Sequence, residues 1–62
     1  MNKVITTDIE LFAAALTQTH FSILQHDFIE DIGIVERYDE YSIKVNGTYY
    51  VRSESEFRIE VF

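Results

Sequence analysis

Several things are scarce in this chain, and each scarcity narrows what it can be. There is no cysteine, which removes disulfide staples and thiolate metal sites and makes no demand for an oxidising compartment. There is no proline, and the only glycines are Gly33 and Gly47, so few positions punctuate the fold and no glycine-rich loop can cradle a phosphate. The longest apolar run, Leu11–Leu16, is six residues, far short of the roughly 20 that span a bilayer. No signal-peptide pattern precedes it, so a cytoplasmic protein is expected. Basic residues are also few: five against eleven acids, a net charge of −6. That balance disfavours direct contact with nucleic acid or an anionic membrane and favours a basic protein surface. Solubility alone is the other reading of the acidity.

What is present is enough for one core. Hydrophobic residues are 47% of 62 positions, too many for a disordered segment, while the length leaves room for a single domain of modest stability. No repeat, linker or low-complexity tract divides it.

Thr7 and Glu10 form a capping-box pattern, with Asp8 and Glu10 placing negative charge at a helix start. Ile9, Phe12, Ala13 and Leu16 recur at i, i+3, i+4 and i+7 and predict the buried stripe of a helix over about 7–20, with His20 near its end. Ser22 and Gln25 repeat the pattern, and Leu24, Phe28 and Ile32 recur every four residues before Gly33, which suits an αL residue after a helix end. A second helix over about 22–32 is expected. A strand from Phe21 to Leu24 followed by a loop is the rival.

After Gly33 the period becomes two, predicting strands at about 34–38, 41–46, 48–53 and 56–62. Asn46-Gly47 is a strong hairpin signal, because a type I′ turn needs φ > 0 at both central residues. It pairs Val45 with Thr48, Ile43 with Tyr50 and Tyr41 with Arg52 on one face, and Lys44 with Tyr49 and Ser42 with Val51 on the other. The expected class is α+β: one or two N-terminal helices on a three- to four-stranded antiparallel meander.

The charge is concentrated. Asp27, Glu30, Asp31, Glu36, Asp39 and Glu40 are opposed between positions 27 and 40 only by Arg37. On a helix, Asp27, Glu30 and Asp31 would be like-charged neighbours that cost stability. A recognition surface for lysine and arginine explains them; an ordinary solvated face is the alternative. Of four tyrosines, two are expected to pack in the sheet. Tyr49, beside Lys44, is expected to be exposed, and Tyr41 or Tyr49 could anchor a partner. His20 and His26 fit no metal-ligand spacing, and the serines have no nucleophile context. No catalysis, metal or cofactor is expected.

In size, lack of cysteine, acidity and α+β layout the chain resembles the small anti-CRISPR proteins of phages and mobile elements. The resemblance implies an inhibitor acting in a bacterial cytoplasm. It would occupy the nucleic-acid site of a basic partner, such as a CRISPR effector complex, by imitating DNA. Two other classes stay open: an acidic immunity- or antitoxin-type partner of an enzyme unrelated to nucleic acid, and a homo-oligomeric structural protein, with a homodimer through the terminal strand as one form.

Overall fold

In the computed structural model, residues 2–60 are described. Val61 and Phe62, the end of the expected last strand, lie outside them. Among the described residues the order is β1 (Asn2–Ile5), α1 (Asp8–Leu16), β2 (Phe21–Gln25), β3 (Phe28–Gly33), β4 (Arg37–Tyr38), β5 (Ser42–Val45), β6 (Thr48–Val51), a 3-10 turn (Arg52–Glu54) and β7 (Glu56–Glu60). The class is α+β, but more sheet-rich than a helix layer on one meander. Four strands form an antiparallel sheet in the order β1-β7-β2-β3, and three form a second in the order β4-β5-β6.

The capping box forms as expected. The Glu10 N–H donates to Thr7 Oγ1 at 3.2 Å, and Glu10 Oε1 accepts from the Thr6 and Thr7 N–H groups, each at 3.1 Å. These contacts hold the Glu10 carboxyl well below its ordinary 4.5, at about 2; the Thr6 and Thr7 backbone bonds contribute most, and the Lys3 ammonium least. The helix is shorter than the expected 7–20, because the chain turns left-handed at Gln18 (φ 53). There the Thr19 N–H reaches the Ala14 carbonyl and the Gln18 N–H the Ala15 carbonyl, a Schellman closure. His20 therefore lies beyond the helix.

The buried face of α1 is not the predicted one. Leu11 and Ala14 are buried, whereas Ile9, Phe12 and Leu16 are 82%, 58% and 73% exposed. At 3.6 residues per turn these two sets point about 180° apart. Apolar residues surround most of the helix, so periodicity finds a stripe without saying which stripe meets the sheet.

The second helix is absent. Residues 21–33 form a β2–β3 hairpin whose two-residue turn, His26-Asp27, has φ of 52° and 65°. Histidine and aspartate tolerate this region better than most non-glycine residues, and that makes a type I′ turn without glycine. The four-residue recurrence of Leu24, Phe28 and Ile32 is incidental to the pairing. Gly33 is not an αL cap either; it sits in β3 because a Cβ there would lie 2.7 Å from Val45 Cγ1. The strand expected at 34–38 shrinks to Arg37–Tyr38, and β1 replaces what the sequence left unassigned.

The second hairpin is as predicted. Asn46 and Gly47 have φ of 51° and 78°, and the register is Ser42↔Val51, Ile43↔Tyr50, Lys44↔Tyr49 and Val45↔Thr48. The Arg52 N–H donates to the Tyr41 carbonyl at 2.8 Å, continuing that register. The C-terminal strand is paired on both sides, Ile5 opposite Phe57 and Ile23 opposite Phe57.

Between the two sheets and the helix lies one core of Ile5, Leu11, Ala14, Phe21, Ile23, Val35, Ile43, Val45 and Phe57, with Tyr38 and Tyr50 packed at its margin. Phe21 and Phe57 meet edge to face, 5.9 Å between centroids. Arg52 ties the layers together, donating to Asp8 Oδ1 (2.8 Å), the Asp39 carbonyl (2.7 Å) and the Thr6 carbonyl (3.2 Å).

Candidate protein-binding surface

The six clustered acids share no helix face, and they divide by what they touch. Asp31 is an internal connector. Tyr50 Oη donates to its Oδ2 at 2.8 Å, and Asn46 Nδ2 (2.9 Å) and the Ile32 N–H (2.8 Å) donate to Oδ1. Those bonds, Tyr50 first, hold its carboxyl below the usual range. Asn46 Nδ2 also reaches the Ile32 carbonyl at 3.0 Å, so side chains occupy the Ile32 peptide groups. Glu36 accepts from the Gly47 N–H with both oxygens, at 3.0 and 3.2 Å, and so braces the β5–β6 turn. Asp39 accepts from the Tyr41 and Ser42 N–H groups, both at 2.8 Å, and builds the turn before β5; these bonds lower its pKa.

Asp27, Glu30 and Glu40 are different. All three are exposed, and none bonds or pairs with another described residue. Asp27 is in the β2–β3 turn. Glu30 is the extra residue of a bulge, since Leu24 pairs with Ile29 and Ile23 with Asp31; a bulge bends the strand and re-aims its side chains. The same hairpin carries Phe28, Ile29 and Ile32 at 72%, 59% and 57% exposure. Strand β3 is at the edge of its sheet. The sequence thus brings Asp27-Phe28-Ile29-Glu30 to one exposed hairpin, two large apolar side chains between two carboxylates.

Glu40 and Tyr41 (72% exposed) sit on another turn, between β4 and β5. Tyr49, 55% exposed, lies on the outward face of the second sheet with Lys44 Nζ 5.4 Å from its ring centroid. Arg37 is the cross-strand partner of Lys44 on that face, where the neighbours Ser42, Tyr49 and Val51 include no acid. The predicted site residues therefore form three places: the β2–β3 hairpin (Asp27, Glu30), the β4–β5 turn (Glu40, Tyr41) and the outer face of the second sheet (Tyr49). Asp31, Glu36 and Asp39 serve the fold.

Phe28, Ile29 and Ile32 were not among the predicted contacts, because a helical reading puts Phe28 and Ile32 on a buried stripe. His26-Asp27, two neighbouring residues that accept φ > 0, was the available signal. Among the described residues no group of three or more His, Cys, Asp or Glu side chains could hold a metal ion, and no helix is long and apolar enough to cross a membrane. Compared with known protein families, curated proteins and solved structures, the chain matches none. Fold and surface alone define it as a small α+β protein with an exposed, acid-flanked apolar hairpin.

Proposed function

We propose that this chain is a non-enzymatic binding protein that inhibits a basic, nucleic-acid-binding partner by docking the β2–β3 hairpin on its charged surface. The observation that carries the reading is the placement of exposed Phe28 and Ile29 between Asp27 and Glu30. Interfaces combine an apolar centre with a polar rim, and monomers seldom expose such side chains together without use. Phe28 and Ile29 point to opposite faces of the edge strand, and the one that meets the partner supplies affinity. The carboxylates contribute little as isolated surface pairs, roughly 0–1 kcal/mol each, but they steer encounter with lysine and arginine and reject acidic surfaces. A groove that holds phosphate offers several cations together, and Glu40 with Tyr41 extends the acidic surface from a second turn. A guide-loaded CRISPR effector complex is one partner of this chemistry.

The test is capture of partners from nuclease-treated bacterial lysate, followed by competition on the captured protein. The expected partner is a basic nucleic-acid-binding protein that DNA or RNA displaces and that salt releases. Asp27→Asn with Glu30→Gln should weaken its binding roughly tenfold, about 1.4 kcal/mol, as should Phe28→Ser. Thr48→Lys with His20→Lys, an equal change of charge elsewhere, should matter less. A partner that nucleic acid does not displace, or that binds the Asp27→Asn, Glu30→Gln protein at full strength, overturns the proposal.

A further inference from the structure

Helix α1 is apolar on the side turned away from its own core. Ile9, Phe12, Ala13 and Leu16 form a continuous outward stripe opposite the buried Leu11 and Ala14. A helix apolar all round is ordinarily covered all round. We infer that the outward stripe is the interface of a homodimer, in which a second copy lays its own α1 across this one about a two-fold axis.

Charge points to a second copy as the occupant. The chain carries −6 overall, yet the carboxylates flanking the stripe are matched: Asp8 pairs with Arg52 at 2.8 Å, and Glu10 with Lys3 at 3.5 Å. From Leu11 to Thr19 there is no charged residue. Two copies can approach on this face without opposing unpaired carboxylates, whereas Asp27, Glu30 and Glu40 lie on other elements. The same lack of charge gives a foreign partner no cation or anion to select it. Nor does the face suit a lipid surface, since interfacial helices set lysine and arginine beside the apolar side.

Geometry agrees. Ala13 lies near the middle of the stripe, where a small side chain lets two helices cross closely. Beside it a groove of about 260 Å³ between α1 and the β1–β7 pair, lined by Ile5, Ile9, Ala13 and Ile59 together with the mutually paired Lys3 and Glu10, can take an apolar side chain from the facing helix. At their observed exposures Ile9, Phe12 and Leu16 offer roughly 400 Å² of apolar surface, about half of one partner's share in a standard interface. Flanking residues must supply the rest, so the dimer is expected to be weak and concentration-dependent. In an antiparallel crossing the two helix dipoles also run in opposite directions, each positive end beside the other's negative end.

Sedimentation equilibrium tests this on the full chain. The mass should rise from 7.3 kDa towards twice that value with concentration. Phe12→Lys with Leu16→Lys should stay folded by circular dichroism, since both side chains point outward, and weaken association at least about tenfold. Because the chain has no cysteine, Ala13→Cys should form an intermolecular disulfide under mild oxidation, and Ile29→Cys on the β2–β3 hairpin should do so far less. A wild-type chain that stays at 7.3 kDa at millimolar concentration overturns the inference. So does a dimer that survives the double lysine variant, or cross-linking by Ile29→Cys that equals that of Ala13→Cys.

Discussion

Gln18, His26, Asp27 and Asn46 hold φ between 51° and 65° without being glycine. For an L-residue this conformation costs roughly 1–2 kcal/mol, because Cβ crowds the following carbonyl. Each is placed where the fold needs the turn: Gln18 closes the helix, and the other three make the tight hairpins. Gln18→Gly should therefore stabilise the protein by about 1 kcal/mol, raising Tm by several degrees in a domain this small. Gly47→Val tests the same principle with the opposite sign. Its φ is 78° and a Cβ would meet nothing within 4 Å, so the loss of about 1–2 kcal/mol would come from the backbone alone. Urea unfolding of both variants measures this; equal midpoints would remove the two turns from the account.

At the scale of elements, the start of α1 gives a pH dependence with a defined sign. Glu10 falls from 4.5 to about 2 on folding, so the folded state prefers its carboxylate. The stability this contributes is fully present above the ordinary value and is lost as pH falls through about 2. The depressed Asp31 and Asp39 act in the same direction. Thermal stability should drop between about pH 4.5 and pH 2, and Glu10→Gln should drop less over that window while starting lower at neutral pH. A variant with the wild-type slope would show that the capping box does not sense the proton. This box was legible in the sequence because both of its bonds are local, and so was the Asn46-Gly47 hairpin, whose turn chemistry fixes its register. The β2–β3 hairpin was not, since Ser22 and Gln25 imitate a cap and His26-Asp27 is a weak turn signal. Clustering in sequence singled out six acids without showing which are engaged: contacts 11 to 19 residues away tie Glu36 and Asp31 into the fold and leave Asp27, Glu30 and Glu40 exposed. The outward stripe of α1 was seen as a pattern and assigned to the wrong side, which only the rest of the chain could decide.

For the molecule as a whole, the telling feature is that β7 lies inside the four-stranded sheet, between β1 and β2. Its pairing with β1 joins Ile5 to Phe57 and Asn2 to Glu60, contacts that span almost the entire chain. Loop-closure entropy must be overcome before such contacts reward it. Refolding is expected as a single phase in roughly milliseconds to seconds, slow for so small a protein, and stopped-flow tyrosine fluorescence would measure it. Microsecond relaxation would mean that the helix and hairpins commit the chain without that closure. The same arrangement orders events during synthesis. Until residues 56–60 emerge, β1 has no strand beside it, and β2 shows an open edge along Ser22, Ile23 and Leu24. A nascent chain halted after β6 would thus carry the helix, the β2–β3 hairpin and the whole β4-β5-β6 sheet, yet lack the strand that joins β1 to β2 and leave a sticky edge for chaperones to find. The β2–β3 hairpin gains its rigid support in one late step, when the last described strand slots into the middle.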